Sequence, residues 1–190
     1  MDVLTKNKAE LLRVFFTNPG KSFYMQEIGR IIGKKPGVFQ RTLNKMVAEG
    51  MLESERRANT RHFWANNQYP LYKELKSIIF KTVGIQGSLR EAFRDLKKIR
   101  LPFIYGSFAK IRENNLSDID IMIIGEPNES VLIARLDKLE NQLQREINYH
   151  LYSLRSFKSD IKNGNPFLRG IIRDKKIMLI GSENELRQIY

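Results

Sequence analysis

Two acids, Asp118 and Asp120, stand at the head of an otherwise apolar run made of Ile119 and Ile121-Met122-Ile123-Ile124. On a strand, residues two apart point the same way, with Cα atoms about 6.6 Å apart. Both carboxylates must therefore share one face of whatever sheet buries the isoleucines. Two like charges so placed repel unless a cation lies between them. Magnesium meets that need: it takes one or two protein carboxylates and completes its octahedron with water and phosphate oxygens. A solvated strand end is the plain alternative for such a pair taken alone. Upstream, Leu101–Tyr105 reads as a short strand, and Gly106-Ser107 falls where that strand turns into a short helix. A glycine there lets backbone approach a phosphate, while Ser107 and the N–H groups of a helix start can bond its oxygens. The expectation is magnesium at Asp118 and Asp120, with a nucleotide held at Gly106 and Ser107.

Composition removes most other chemistries. The 190 residues contain no cysteine, which excludes disulfides, thiolate zinc sites and cysteine nucleophiles. The two histidines, His62 and His150, are too far apart in sequence to form a local metal cluster. Any metal must then be held by oxygen. No apolar run approaches the roughly 18 residues that a membrane span needs, and the first 18 residues are too charged for a signal peptide. A soluble, cytoplasmic protein with no membrane partner is expected.

The net charge of +12 is unevenly spread. Residues 1–100 hold 20 Lys and Arg against 9 Asp and Glu, whereas residues 101–190 hold 13 against 12. The first half alone would attract a polyanion. Within it, Leu11, Leu12 and Phe15 share a helical face over Lys6–Thr17, and Ile28, Ile31 and Ile32 mark a brief second helix that Gly33 can end. Pro36 suits the first position of a third helix, whose buried stripe is Phe39, Leu43, Met46 and Val47. Its opposite face carries Gln40, Arg41, Asn44 and Lys45, preceded by Lys34 and Lys35. Arg can bond guanine bidentately, Gln and Asn can bond adenine, and Lys can neutralise phosphate. A solvated helix face has the same composition. Next come Met51–Glu55, a basic turn over Arg56–Thr60, and Arg61–Ala65, which read as two strands around a tip bearing Arg56, Arg57 and Arg61.

Three helices followed by such a hairpin resemble the winged helix-turn-helix family. The resemblance implies that the third helix enters the major groove of double-stranded DNA and the wing touches phosphate or the minor groove. It departs from the family at Lys35, where a capping Ser or Thr often precedes the helix. Residues 1–66 form this expected domain, and residues 67–100 a helical connector. One connector helix carries Leu71, Leu75, Ile78 and Ile79, and Gly84–Gly87 breaks it. A second opens with a capping box, Ser88 and Glu91. These amphipathic helices pack on either domain or line a homodimer seam.

Gly106-Ser107-Phe108-Ala109 followed by Ser117-Asp118-Ile119-Asp120 resembles the signature of the minimal nucleotidyltransferases of the DNA polymerase β superfamily. The resemblance implies a small mixed sheet with flanking helices over residues 101–190. It also implies up to two magnesium ions and transfer of a nucleoside monophosphate from a nucleoside triphosphate to a hydroxyl, with Asp118 and Asp120 catalytic. Ile111 stands where the family often has Gly. Active members supply a third carboxylate from a later strand, and here a helix over residues 129–144 leads into Glu146–Tyr152, with Asn148 at that position. Asn148 cannot act as a general base. Glu146 and His150 share its face but are displaced by about 7 Å. Toward the C-terminus, Ser153 can cap a helix, Asn163–Pro166 is a break, and Lys175–Gly181 reads as a final strand whose Lys175 and Lys176 meet phosphate or guard a sheet edge. Ser182 and Glu185 then form a capping box.

The expected fold class is thus α+β: an N-terminal winged helix-turn-helix and a C-terminal polymerase β-like mixed sheet. The primary reading is a DNA-binding regulator whose second domain binds nucleotide and magnesium with weak or no turnover. The alternative is an active transferase acting on a nucleic-acid or protein hydroxyl, resembling the transferase arm of toxin–antitoxin pairs. An interaction module, with both domains serving assembly, is the third.

Overall fold

A computed structural model describes residues 5–109 and 117–190. Ile111 lies outside them. The chain divides into two compact units, Met1–Ser88 with Asn141–Gln144, and Leu89–Glu140 with Arg145–Tyr190. Among the described residues no helix is long and apolar enough to cross a membrane.

In the first unit, helix α1 (Lys6–Thr17) opens where the Thr5 side chain accepts a hydrogen bond from the Lys8 amide. A two-residue strand β1 (Phe23–Tyr24) leads into α2 (Met25–Ile32), which Gly33 ends with φ +67°. Helix α3 (Pro36–Ala48) begins with Pro in its first turn and receives no side-chain cap from Lys35. Strands β2 (Leu52–Arg57) and β3 (Thr60–Ala65) form an antiparallel hairpin, with β1 adding to β3. Arg57 is the direct partner of Thr60, so the turn is only Ala58-Asn59. The five-residue turn expected over Arg56–Thr60 was too wide, because the ladder continues through the arginines. Leu11, Leu12, Phe15, Phe23, Ile28, Phe39, Leu43 and Phe63 form the core.

Helix α4 (Tyr72–Thr82) joins that core through Tyr72, Leu75 and Ile79, which answers where the first connector helix packs. Helix α5 (Ile85–Arg94) starts earlier than the sequence suggests. Ser88 does not cap it, and its hydroxyl donates to the Val83 carbonyl at 3.0 Å. The glycines here permit close approach: a Cβ on Gly87 would fall 1.5 Å from the Thr82 carbonyl oxygen. The expected break between the two helices falls at Val83-Gly84, and the second helix resumes at Ile85 because Gly87 is compatible with helical backbone at that tight corner.

The second unit is built on a four-stranded sheet of order β6-β5-β4-β7, where β4 is Ile99–Tyr105, β5 Ile119–Gly125, β6 Ile147–Tyr152 and β7 Ile177–Met178. β5 and β6 are parallel, joined by α6 (Glu129–Leu143), and the other pairs are antiparallel. Leu101, Phe103, Tyr105, Met122 and Ile124 pack on one face against α7 (Leu154–Lys162), α8 (Pro166–Arg173) and α9 (Glu183–Arg187). Alternate positions Ile104, Ile121 and Ile123 are fully buried, so the central strands are covered on both faces. Ser153, Asn165 and Ser182 each accept a backbone N–H in the first turn of the helix that follows.

β7 is shorter than the strand expected over Lys175–Gly181. Lys176 guards no sheet edge: its side chain is 2% exposed, and its ammonium donates to the carbonyls of Ile172 at 2.9 Å and Asp174 at 2.8 Å. It thereby satisfies acceptors at the end of α8, where a cation is electrostatically favoured.

Candidate active site

The site begins where β4 ends. Tyr105 is the register partner of Asp120 across the antiparallel β4–β5 pair, which brings Gly106 beside the Asp120 carboxylate. Gly106 has φ +74°, and a Cβ at this position would lie 2.7 Å from Asp120 Oδ2. Glycine thus suits the left-handed backbone, and any larger residue would displace the Asp120 carboxylate. Residues 106–109 form a turn; the short helix expected to follow falls largely on residues 110–116, outside those described. Ser107 is half-buried in this turn.

Asp120 is half-buried and Asp118 exposed just before β5. Burial pushes the Asp120 carboxyl above its ordinary range, and the neighbouring Asp118 charge pushes it further. A hydrogen bond from Asn148 and the nearby His150 act in the opposite direction. No ion pair engages either acid among the described residues.

In the parallel β5–β6 pair, Asn148 stands directly beside Asp120 and His150 beside Met122. The amide thus occupies the place where a third acid would complete the group. Among the described residues no cluster of three His, Asp or Glu side chains is shaped to hold a metal. Glu146 precedes β6, is exposed, and contributes its backbone carbonyl to the Ile119 N–H at 2.9 Å. His150, exposed on β6, reaches across β5: its Nδ1 shares a hydrogen bond of 3.0 Å with the Tyr105 hydroxyl. Burial, then the Asp120 charge, raises the Tyr105 phenol above its ordinary value.

Residue-type spacing alone does not reveal two further contributors. Phe167, in the first turn of α8, packs against both His150 and Tyr105. Arg145 brackets the segment 110–116: its guanidinium lies 5.5 Å from the Phe108 ring centroid and donates to the Ser117 carbonyl at 3.0 Å. Arg145 sits immediately before Glu146 and β6, so sequence proximity to the third-acid position is its only signal. Phe167 reads in sequence as an ordinary core position.

The nine basic and amide positions singled out in the first half fall into two groups. Lys35, Gln40, Arg41, Asn44 and Lys45 are exposed on or beside α3, although Lys45 reaches Glu49 at 3.7 Å. Arg56 and Arg61 are direct cross-strand partners near the hairpin tip. Arg61 is also anchored, donating to Asn44 Oδ1 at 3.1 Å and to Ser54 Oγ, and it lies over the Phe63 ring. Arg57 pairs with Glu55 at 3.0 Å. Lys34 is drawn inward, bonded to Asn7 at 2.8 Å and ion-paired with Glu10.

Residues 88–184 match the polymerase beta nucleotidyltransferase family. The chain belongs to this family. The match covers the sheet, the Gly106 turn and both acids of the nucleotidyltransferase domain. No curated protein is matched. Among solved structures, a toxin–antitoxin complex with AMP-PNP is 20% identical, with a TM-score of 0.41 over 55% of this chain and 79% of that one. A mutant of the toxin–antitoxin MntA-HpeT is 18% identical, with a TM-score of 0.40 over 55% and 80%. A tri-AMPylated Shewanella oneidensis HEPN toxin in complex with MNT antitoxin gives 18% identity and a TM-score of 0.36, over 55% and 76%.

Proposed function

We propose that the second unit is a nucleotidyltransferase that binds a nucleoside triphosphate with magnesium and transfers a nucleoside monophosphate to a hydroxyl acceptor, slowly. The observation that carries this reading is the pair of neighbouring acids, Asp118 and Asp120, set against the Gly106 turn with no ion pair to either among the described residues. The donor set fits magnesium, because carboxylate oxygens from two side chains are hard ligands that leave room for phosphate and water. Asp118 and Asp120 would hold the metal, which supplies positive charge to phosphate oxygens and to the leaving pyrophosphate. Gly106 and Ser107 would receive the triphosphate, with the turn's backbone free to approach because no Cβ intervenes.

The reaction needs the acceptor hydroxyl to lose its proton as its oxygen attacks the α-phosphorus and pyrophosphate departs. Asn148 cannot take that proton. Turnover is consequently slow, with His150 on β6 and Glu146 just before it the acid–base side chains two residues to either side of Asn148. The test is incubation of the whole chain with α-labelled nucleoside triphosphates, magnesium, and candidate protein and nucleic-acid acceptors. Magnesium-dependent label transfer, abolished by Asp120→Asn, is expected. Transfer that survives Asp120→Asn would place the chemistry elsewhere.

We also infer that the first unit is a winged helix that binds double-stranded DNA. The observation favouring it is the direct pairing of Arg56 with Arg61 in the hairpin, since like charges facing each other across strands destabilise the pair unless an anion lies between them. Lys35, Gln40, Arg41, Asn44 and Lys45 would meet the duplex from α3, with Arg56, Arg57 and Arg61 on the wing. Lys34 would have to leave Glu10 to contribute. Duplex binding that weakens with salt and is lost in an Arg41→Ala, Arg56→Ala double variant is expected. Failure to shift duplex at low salt would overturn it.

A further inference from the structure

Phe167 is a large apolar side chain left 42% exposed although α8 supplies the core with Leu168 and Ile171, both buried. Its ring is not isolated. The centroid lies 5.0 Å from that of His150 at an interplanar angle of 47°, and 6.1 Å from that of Tyr105 at 84°. The hydrogen bond between Tyr105 and His150 fixes the imidazole that backs it. Tyr105 is the register partner of Asp120, and His150 lies two residues beyond Asn148, the neighbour of Asp120 on β6. The exposed ring therefore packs on two side chains that flank Asp120: Tyr105, its register partner, and His150, which stands one pleat repeat, or roughly 7 Å, beyond Asn148. A nucleotide with its phosphates at Gly106 and Asp120 extends its sugar and base over a span of that order.

We propose that Phe167, backed by His150 and Tyr105, is the stacking platform for the nucleobase of the bound nucleotide. The proposal rests on the nucleotidyltransferase reading of the same site and names the part of the substrate that reading leaves without a partner. Stacking on an aromatic face tolerates any base, because every base presents a π-face. The platform thus adds affinity for nucleosides over bare phosphates without demanding one base.

Titration calorimetry of the full chain in magnesium, with ATP and with inorganic tripolyphosphate, tests it. ATP should bind more tightly than tripolyphosphate. Phe167→Ala should weaken ATP by about fivefold or more and leave tripolyphosphate unchanged. Phe167→Trp should retain ATP binding. Phe167→Leu, which keeps apolar bulk without a π-system, should resemble the alanine variant while melting like the parent. Asp120→Asn should weaken both ligands. If the parent binds both ligands and Phe167→Ala changes neither affinity, or lowers both in parallel, the platform is wrong and the nucleotide site stands. If the parent binds neither, the nucleotide reading fails and the platform with it.

Discussion

Replacing Asp118 with Asn should make the metal-free protein more stable while removing its response to magnesium. The two acids are two residues apart at the start of β5, a Cα separation of about 6.6 Å at strand rise. Unit charges at that distance repel by about 2.5 kcal/mol at an effective dielectric near 20. Asp118 is exposed, so solvent and salt reduce the gain to about 0.5–1 kcal/mol. A relief of that size raises the melting temperature of a domain near 100 residues by roughly 2–8 °C. Because the Asp120 carboxyl is raised in the folded state, by burial first and Asp118 second, the folded form binds more protons than the unfolded one. The penalty is absent below the ordinary carboxylate value and sets in as pH rises through the Asp120 value. In EDTA, the gain from Asp118→Asn should accordingly be larger at pH 7.5 than at pH 4. Magnesium at 100 times its dissociation constant should stabilise the parent by about 2.7 kcal/mol and the variant far less. Scanning calorimetry of both proteins, in EDTA and in magnesium at the two pH values, reads all of this. A fall in melting temperature for Asp118→Asn in EDTA would refute the reasoning, since it would mean that native partners hold this acid. An equal magnesium shift in both proteins would place the ion elsewhere.

Asn148→Asp should complete a three-acid group beside Asp120 and speed label transfer, by tenfold or more if proton removal limits the rate; single-turnover kinetics measure it, and an unchanged rate would show that the base is not limiting. Ala58 holds φ +50° in the two-residue hairpin turn. Ala58→Gly should therefore raise stability by about 0.5–1 kcal/mol, the left-handed strain relieved less the added unfolded-state entropy, as read by urea unfolding. Lys176→Met keeps the length of the side chain but removes its three donors, leaving the Ile172 and Asp174 carbonyls unsatisfied; a loss of about 1–3 kcal/mol in denaturant unfolding is expected.

Periodicity was legible wherever one face of an element is buried. Leu11, Leu12 and Phe15 place α1 at Lys6–Thr17, and Phe39, Leu43 and Met46 place α3, because a 3.6-residue repeat has no other low-energy arrangement. It placed the break after α4 but set the start of α5 too late, at Ser88 and not Ile85, because Gly87 fits against Thr82 only once two helices meet. Lys176 misled for a related reason. A lysine beside a strand is normally solvated, and only the end of α8 offers it carbonyls. Arg56, Arg57 and Arg61 were located near a hairpin tip from sequence, yet their pairing depended on a register that the turn length sets.

The local chain dictated the paired acids on one strand face, the glycine before them, the amide in place of a third acid, and the basic first half. Spacing, charge and the pleat are properties of neighbouring residues. Tertiary structure alone decided that Gly106 sits against the Asp120 carboxylate, that Lys34 spends its charge on Glu10, and that Tyr105, His150 and Phe167 meet. Those last three residues come from β4, β6 and α8, whose separation in sequence carries no trace of their contact. They come together because the sheet order sets β6 and β4 on either side of β5, and α8 packs Leu168 and Ile171 on the same face as Tyr105.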